Sequence, residues 1–135
     1  MITDQMKAGI IALRPFVPAK DHAQSRAFYE ALGFQAFPLG ERLTSFHIGE
    51  EPGAFAFLLQ QYDVKDFAEN YMMHLLVDDL DAWWAHIDSL SLDTRFGVQA
   101  PRQPKLEPWG LRVCYVFDPS GVLWHFACEA ESDNP

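Results

Sequence analysis

The chain is poor in cysteine, in basic residues and in long apolar runs, and each shortage excludes a class of protein. Two cysteines, Cys114 and Cys128, in 135 residues are too few for a disulfide-built scaffold. Both sit in apolar, strand-like runs, so buried free thiols are expected, and a position across one hairpin would fit them equally. No apolar run approaches the ~18 residues of a membrane-spanning helix. The first residues, "MITDQMKAGIIALRPF", place an acid before a short apolar stretch and lack a small-residue cleavage site, so no secretory leader is read there and a cytoplasmic location is expected. Ten basic residues against nineteen acids give a formal net charge of -9. That field repels nucleic acid and anionic membranes, so neither is an expected partner, and it favours cationic ligands. No Lys or Arg occurs from Asp66 to Asp93, where Asp66, Glu69, Asp78, Asp79, Asp81, Asp88 and Asp93 accumulate; for any one of them a solvated surface is the plain reading.

What is present describes a globular chain: 49% hydrophobic and 14% aromatic residues, at a length that suits one domain spanning residues 1–135. An apolar run, Ile10 to Val17, is interrupted by Pro15, which removes a ladder donor and points to an edge or crossing strand. A helix is predicted next, capped by Asp21, with Ala27, Phe28, Ala31 and Leu32 at helical spacing and Gly33 as its stop. Strand-like runs follow at Phe34–Leu39, Arg42–Ile48 and Ala54–Gln61, separated by Gly40 and by "GEEPG". After a polar link at Asp63–Glu69 the order begins again. A strand at Tyr71–Val77 runs into a helix at Asp79–Leu90, whose Leu80, Trp83, Trp84, Ile87 and Leu90 recur with helical period. A short strand near Thr94–Val98, a proline-rich loop at Pro101–Pro108 and strands at Leu111–Phe117 and Val122–Glu129 around the Asp118–Gly121 turn complete the chain.

Each half therefore reads strand, helix, three strands, and Asp21–Leu32 lies over Asp79–Leu90 without a gap. One such unit covers one sheet face with its helix and leaves the other bare, so two units, about 10–61 and 71–129, must cooperate to close a core. The expected class is α+β, two βαβββ modules forming curved mixed sheets around a crevice, where a ligand would sit.

This duplicated pattern, with "SRAFYEALGF" in the first half, "VDDLDAWW" in the second and "DPSGVLWHF" at the end, resembles the glyoxalase, bleomycin-resistance and extradiol-dioxygenase superfamily, also called vicinal oxygen chelate. Within it, "LRPFVPAKD" and "EPWGLRVCYVFDPSGVLWHF" look most like the bleomycin-resistance branch. The resemblance implies a homodimer that holds a bulky, cationic, planar-ringed drug such as a glycopeptide antibiotic in crevices between subunits, without a cofactor or catalytic residue. The alternative is a metalloenzyme of the same superfamily, glyoxalase/lyase-like or dioxygenase-like.

The residues at the positions where the metal-dependent relatives carry ligands bear on that choice. The first falls on Arg14, whose permanent charge repels a cation. The second falls on or beside Phe57 and the third on Met72, with His74 two residues along on the same strand face; the fourth falls on His125. At best two imidazoles remain, so no metal site is expected.

Ligand-binding candidates are Trp109, in the "EPWG" loop, as the ring-stacking residue the resemblance implies, and His125, a pocket wall or else a core histidine satisfied by hydrogen bonds. Strand parity adds Phe57 with Leu59, and Met72 with His74; Phe37 and His47 come from the middle strands. For the apolar members ordinary core packing is the stronger reading, and Trp109 could simply cover the core. Trp83 and Trp84 are assigned to helix packing, and His22 and His86 to solvated helix surfaces.

Overall fold

The computed structural model describes residues 1–50 and 55–130. Ala54, most of the "GEEPG" turn and the end of the acidic tail lie outside them.

A short helix, α1 (Asp4–Ala8), begins where the Thr3 hydroxyl accepts from the Met6 amide, and it buries no residue. The first module then runs β1 (Phe16–Ala19), α2 (His22–Leu32), β2 (Gln35–Gly40), β3 (Leu43–Ile48) and β4 (Phe55–Gln61). A linking helix, α3 (Lys65–Glu69), leads to the second module: β5 (Met72–Leu76), α4 (Leu80–Ser89), α5 (Leu92–Phe96), β6 (Arg102–Leu106), β7 (Leu111–Phe117) and β8 (Leu123–Glu129). The two sheets repeat one plan, with orders β1-β4-β3-β2 and β5-β8-β7-β6. In each the first strand lies parallel to the last and the other pairs are antiparallel. This is the α+β arrangement of two βαβββ modules, with α5 added to the second.

Local chemistry sets the two long helices. Asp21 accepts the Gln24 amide at 3.2 Å and Asp79 the Ala82 amide at 3.0 Å, each satisfying a donor that the helix start would otherwise leave unpaired. Gly33 ends α2 at φ 102, a left-handed conformation that a side chain would resist.

One apolar cluster draws on both modules. At its centre Tyr29 packs against Phe57 and Trp124, with centroids 5.0 and 5.6 Å away. Its hydroxyl donates to Asp118 Oδ2 at 2.6 Å and accepts from Trp124 Nε1 at 2.9 Å. The other Asp118 oxygen accepts the Ser120 and Val122 amides. A helix of the first module is thus tied to the final hairpin of the second by a polar network in which every member is satisfied. The helices are also joined by His86 Nε2, 2.8 Å from the Leu32 carbonyl at the end of α2.

Several expectations are corrected. The first strand is Phe16–Ala19 and not Ile10–Val17: Pro15 contributes only its carbonyl, which accepts the Leu58 amide, so the ladder starts after it. Thr94–Val98 is not a strand. Leu92–Phe96 forms α5, because Leu92 is buried and Phe96, four residues on, sets its ring against Phe28 at 5.3 Å, a helical rather than a strand spacing. The expected loop at Pro101–Pro108 contains β6, an edge strand that tolerates Pro104 at a register shift between Arg102 and Lys105. Part of the polar link at Asp63–Glu69 is α3. His22 is 7% exposed rather than solvated, its Nε2 lying 3.0 Å from Thr44 Oγ1. Cys114 and Cys128 are buried free thiols on the adjacent strands β7 and β8, two ladder positions apart. Burial pushes the Cys114 thiol up to about 12, leaving little reactive thiolate at neutral pH.

Candidate functional site

Side chains alternate across a strand, so each sheet has one face toward the helices and one away. In the first sheet Val17, Ala19, Phe46, Phe57 and Leu59 join the helical core and are completely buried. The opposite parity forms an open face. Its central row is Phe16, Leu58, Ser45 and Phe37, aligned by strand register. The next row is Ala56, His47 and Gln35, and the Phe37 and His47 rings lie 4.3 Å apart. No charged side chain occupies the register positions of this face.

The second sheet has the same geometry and different chemistry. Its middle row is His74, His125, Tyr115 and Arg102, one residue from each of the four strands. Met72, Leu123 and Phe117 form an apolar row on one side, and the Arg102 guanidinium lies 6.0 Å from the Phe117 ring centroid. The His74 and His125 rings are 5.9 Å apart, and Tyr115 meets His125 edge-on at 4.9 Å. Burial first, and then the neighbouring His74 ring, lower the pKa of His125. Burial first, and then the adjacent Glu107 carboxylate, raise that of Tyr115.

Among the described residues three buried side-chain polar atoms have no hydrogen-bond partner: Ser45 Oγ, His47 Nδ1 and His125 Nε2. All three belong to open-face positions. An unpaired buried polar atom costs about 1–3 kcal/mol, so these three positions are polar points in otherwise apolar surroundings. Exposed apolar side chains share these faces: Phe16 is 51% and Met72 64% exposed. A cavity of about 470 Å³ at the module junction includes His47, Phe55, Leu76 and Trp83 in its lining, within the range of small-molecule sites. A second cavity of about 460 Å³, beside the Asp118–Gly121 turn, has a mixed charged lining that includes Lys20, Lys65 and Glu69, and contains none of the unpaired atoms.

The structure divides the predicted residues. Met72, His74 and His125 share the second open face, and Phe37 and His47 share the first. Trp109 stands exposed on the β6–β7 turn, where Gly110 supplies the positive φ of 95. Phe57 and Leu59 share a face of β4 as expected, and it is the core face, the stronger of the two readings for apolar residues, so they leave the set of ligand candidates. In "FAFLLQQ" both parities of the leading stretch are apolar, so alternation alone does not identify the exposed one. Phe16, Leu58, Ser45, Tyr115 and Arg102 were missed. Tyr115 was findable, since it stands opposite His125 once the Asp118–Gly121 hairpin is closed. Arg102 was hidden by the assignment of its strand to a loop. Trp83 and Trp84 pack against the core as expected.

Among the described residues no three His, Cys, Asp or Glu side chains converge as a cation cage. The His74–His125 pair falls short of the three protein ligands typical of a catalytic metal.

The sequence model of the Glyoxalase/Bleomycin resistance protein/Dioxygenase superfamily matches residues 11–126. A bleomycin-binding protein solved with bleomycin superposes with a TM-score of 0.73 at 22% identity, covering 87% of this chain and 98% of that one. A bleomycin resistance determinant encoded on transposon Tn5 gives 0.72 at 22% identity, covering 88% and 98%. The bleomycin-binding protein of Streptomyces verticillus, complexed with copper(II)-bleomycin, gives 0.68 at 20% identity, covering 90% and 98%. No curated protein matches in sequence. With the family pattern running through both modules and nearly the whole described length, the chain belongs to the Glyoxalase/Bleomycin resistance protein/Dioxygenase superfamily.

Proposed function

We propose that the protein is a metal-free small-molecule binding protein of the bleomycin-resistance type, which sequesters an aromatic, drug-like ligand on the open faces of its sheets. The observation that carries this reading is the alignment of rings on those faces, Phe37 with His47 and His74 with His125 and Tyr115, a surface suited to stacking. The net charge of -9 supports a ligand with cationic character, because it raises the local concentration of such molecules. Solved proteins of the same fold carry bleomycin, which makes that glycopeptide the first ligand to try.

A bare sheet face is half of a crevice, and a second copy of the chain supplies the other wall in a homodimer working in the cytoplasm. Trp109, His125, His74 and Met72 line one side, and Phe37 and His47 the other. Tryptophan fluorescence titrated with bleomycin is expected to be quenched at micromolar drug, with the protein eluting as a dimer. Absence of quenching together with absence of protection in a growth assay removes the drug.

One observation favours the rival, a lyase-like metalloenzyme: the direct pairing of His74 with His125. Elemental analysis of protein purified without added metal separates the two, since stoichiometric zinc, nickel or iron would overturn the metal-free reading.

A further inference from the structure

The row His74, His125, Tyr115 and Arg102 crosses all four strands of the second sheet in register. It is rich in donors. A guanidinium has no acceptor, a neutral imidazole has one N–H, and a protonated imidazole has two. Lys105 stands beside it, paired with Val113 on the same face. Among the described residues Arg102, Lys105, His74 and His125 make no ion pair; the described pairs are Arg26–Glu30, Lys65–Glu69 and Arg112–Asp81.

In a chain with nineteen acids to ten bases, an unpaired basic row on one sheet is a local reversal of sign. The carboxylates on that side are Glu107, which lies beside the Tyr115 hydroxyl and also acts on the His125 ring, and Glu129, opposite Leu111 at the far end of the sheet. Arg112 is paired with Asp81 on the helical side. The remaining neighbours in the adjoining rows, Met72, Leu123, Phe117, Leu76, Ala127 and Val113, are uncharged.

We infer that this row is an acid-strengthened seat for an anionic group, such as a carboxylate, carried on a planar aromatic ligand. The rings of such a ligand would lie on the Met72, Leu123 and Phe117 row, and its anionic group on the imidazole pair and Arg102. This rests on the reading of the open faces as ligand surfaces, and it names a chemistry that the overall negative charge would not suggest.

The imidazoles set the pH dependence. A protonated imidazole offers both nitrogens as donors, whereas a neutral one offers a single N–H. Burial and then the adjacent ring lower the pKa of His125, against the raising effect of the Glu107 carboxylate, so its charge arrives only at more acid pH. Affinity for an anion therefore rises as pH falls, and affinity for a cation of the same shape falls.

The test uses two probes of like shape and opposite charge, 1-naphthoate and 1-naphthylmethylamine, titrated calorimetrically at pH 5.0 and 7.5, with the histidine ring resonances followed by NMR. Naphthoate is expected to bind about tenfold more tightly than the amine at pH 5.0, on the scale of a charge-assisted hydrogen bond. It should shift the His74 and His125 signals and weaken severalfold at pH 7.5. The His74→Gln/His125→Gln double variant should lose the pH dependence, and Arg102→Gln should weaken naphthoate at both pH values. The proposal is overturned if neither probe binds, if the amine binds as well as naphthoate at pH 5.0, or if the pH dependence survives in the double variant. Should the double variant fail to fold, Arg102→Gln with the ring signals decides. Bleomycin titrated in parallel reports on the drug alone: naphthoate binding without bleomycin binding keeps the seat and removes the antibiotic.

Discussion

The two modules share a plan of strand pairing and differ in what they leave uncovered. Both set the first strand parallel to the last, both place a capped helix over one sheet face, and both turn one parity of their strands toward the helices. Yet the open face of the first carries Phe16, Leu58, Ser45, Phe37 and His47, with no lysine, arginine or carboxylate, whereas the second carries an imidazole pair, a phenol and a guanidinium. The helix-facing parity is held to type by the need to fill one shared core. The other parity is released from that constraint and is where the side-chain chemistry of the two modules differs.

If the modules are halves of one cooperative unit, the largest effect comes from the residue that joins them. Trp124→Ala removes a ring that is 1% exposed and is expected to cost about 3–5 kcal/mol, the range for core aromatic truncation. Calorimetry should show one transition moving as a whole. A first-module transition left at its original temperature would break the equivalence and make the modules independent.

The tie has its own pH signature. Burial raises the Asp118 carboxyl from the usual 3.8 to about 6, against the lowering effect of its hydrogen bonds from Tyr29 and the turn amides. The folded state therefore binds this proton more tightly than the unfolded chain. The contribution is full below the usual carboxylate range and is lost as pH rises through about 6, on the order of 2–3 kcal/mol. Denaturant midpoints of wild type and Asp118→Asn from pH 4 to 7.5 should diverge in slope across that window; parallel curves would mean that the carboxyl is not held there.

Binding should fall on the open parity alone. Trp109→Ala, exposed on its turn, is expected to weaken ligand by about 1–3 kcal/mol with the melting temperature unchanged. Phe37→Ala sharpens the contrast: a similar loss means that both faces touch the ligand, and an unchanged affinity assigns it to the second face. The smallest effect is expected at His86→Ala, about 1 kcal/mol for the hydrogen bond to the end of α2, read as a small drop in thermal midpoint with ligand affinity intact.

Much of this was legible in the chain. Asp21, Gly33 and Asp79 marked the helix ends, and Asp118–Gly121 marked the last hairpin, because caps and turns are local chemistry read within a few residues. Met72 and His74 were placed on one face for the same local reason. The failures were of another kind. Phe57 and Leu59 stayed candidates for the crevice beside the stronger reading of core packing, because an apolar strand shows its alternation only once one side is covered. Thr94–Val98 was too short for its period to separate helix from strand.

By itself the sequence determined the repeat, the helix boundaries and the family pattern, since periodicity, capping and turn residues act over short stretches of chain. The tertiary structure alone decided which side of each strand would be spared from the core, and with it the alignment of His74, His125, Tyr115 and Arg102. That row draws on four strands and takes shape only when their registers are set by hydrogen bonds across the sheet.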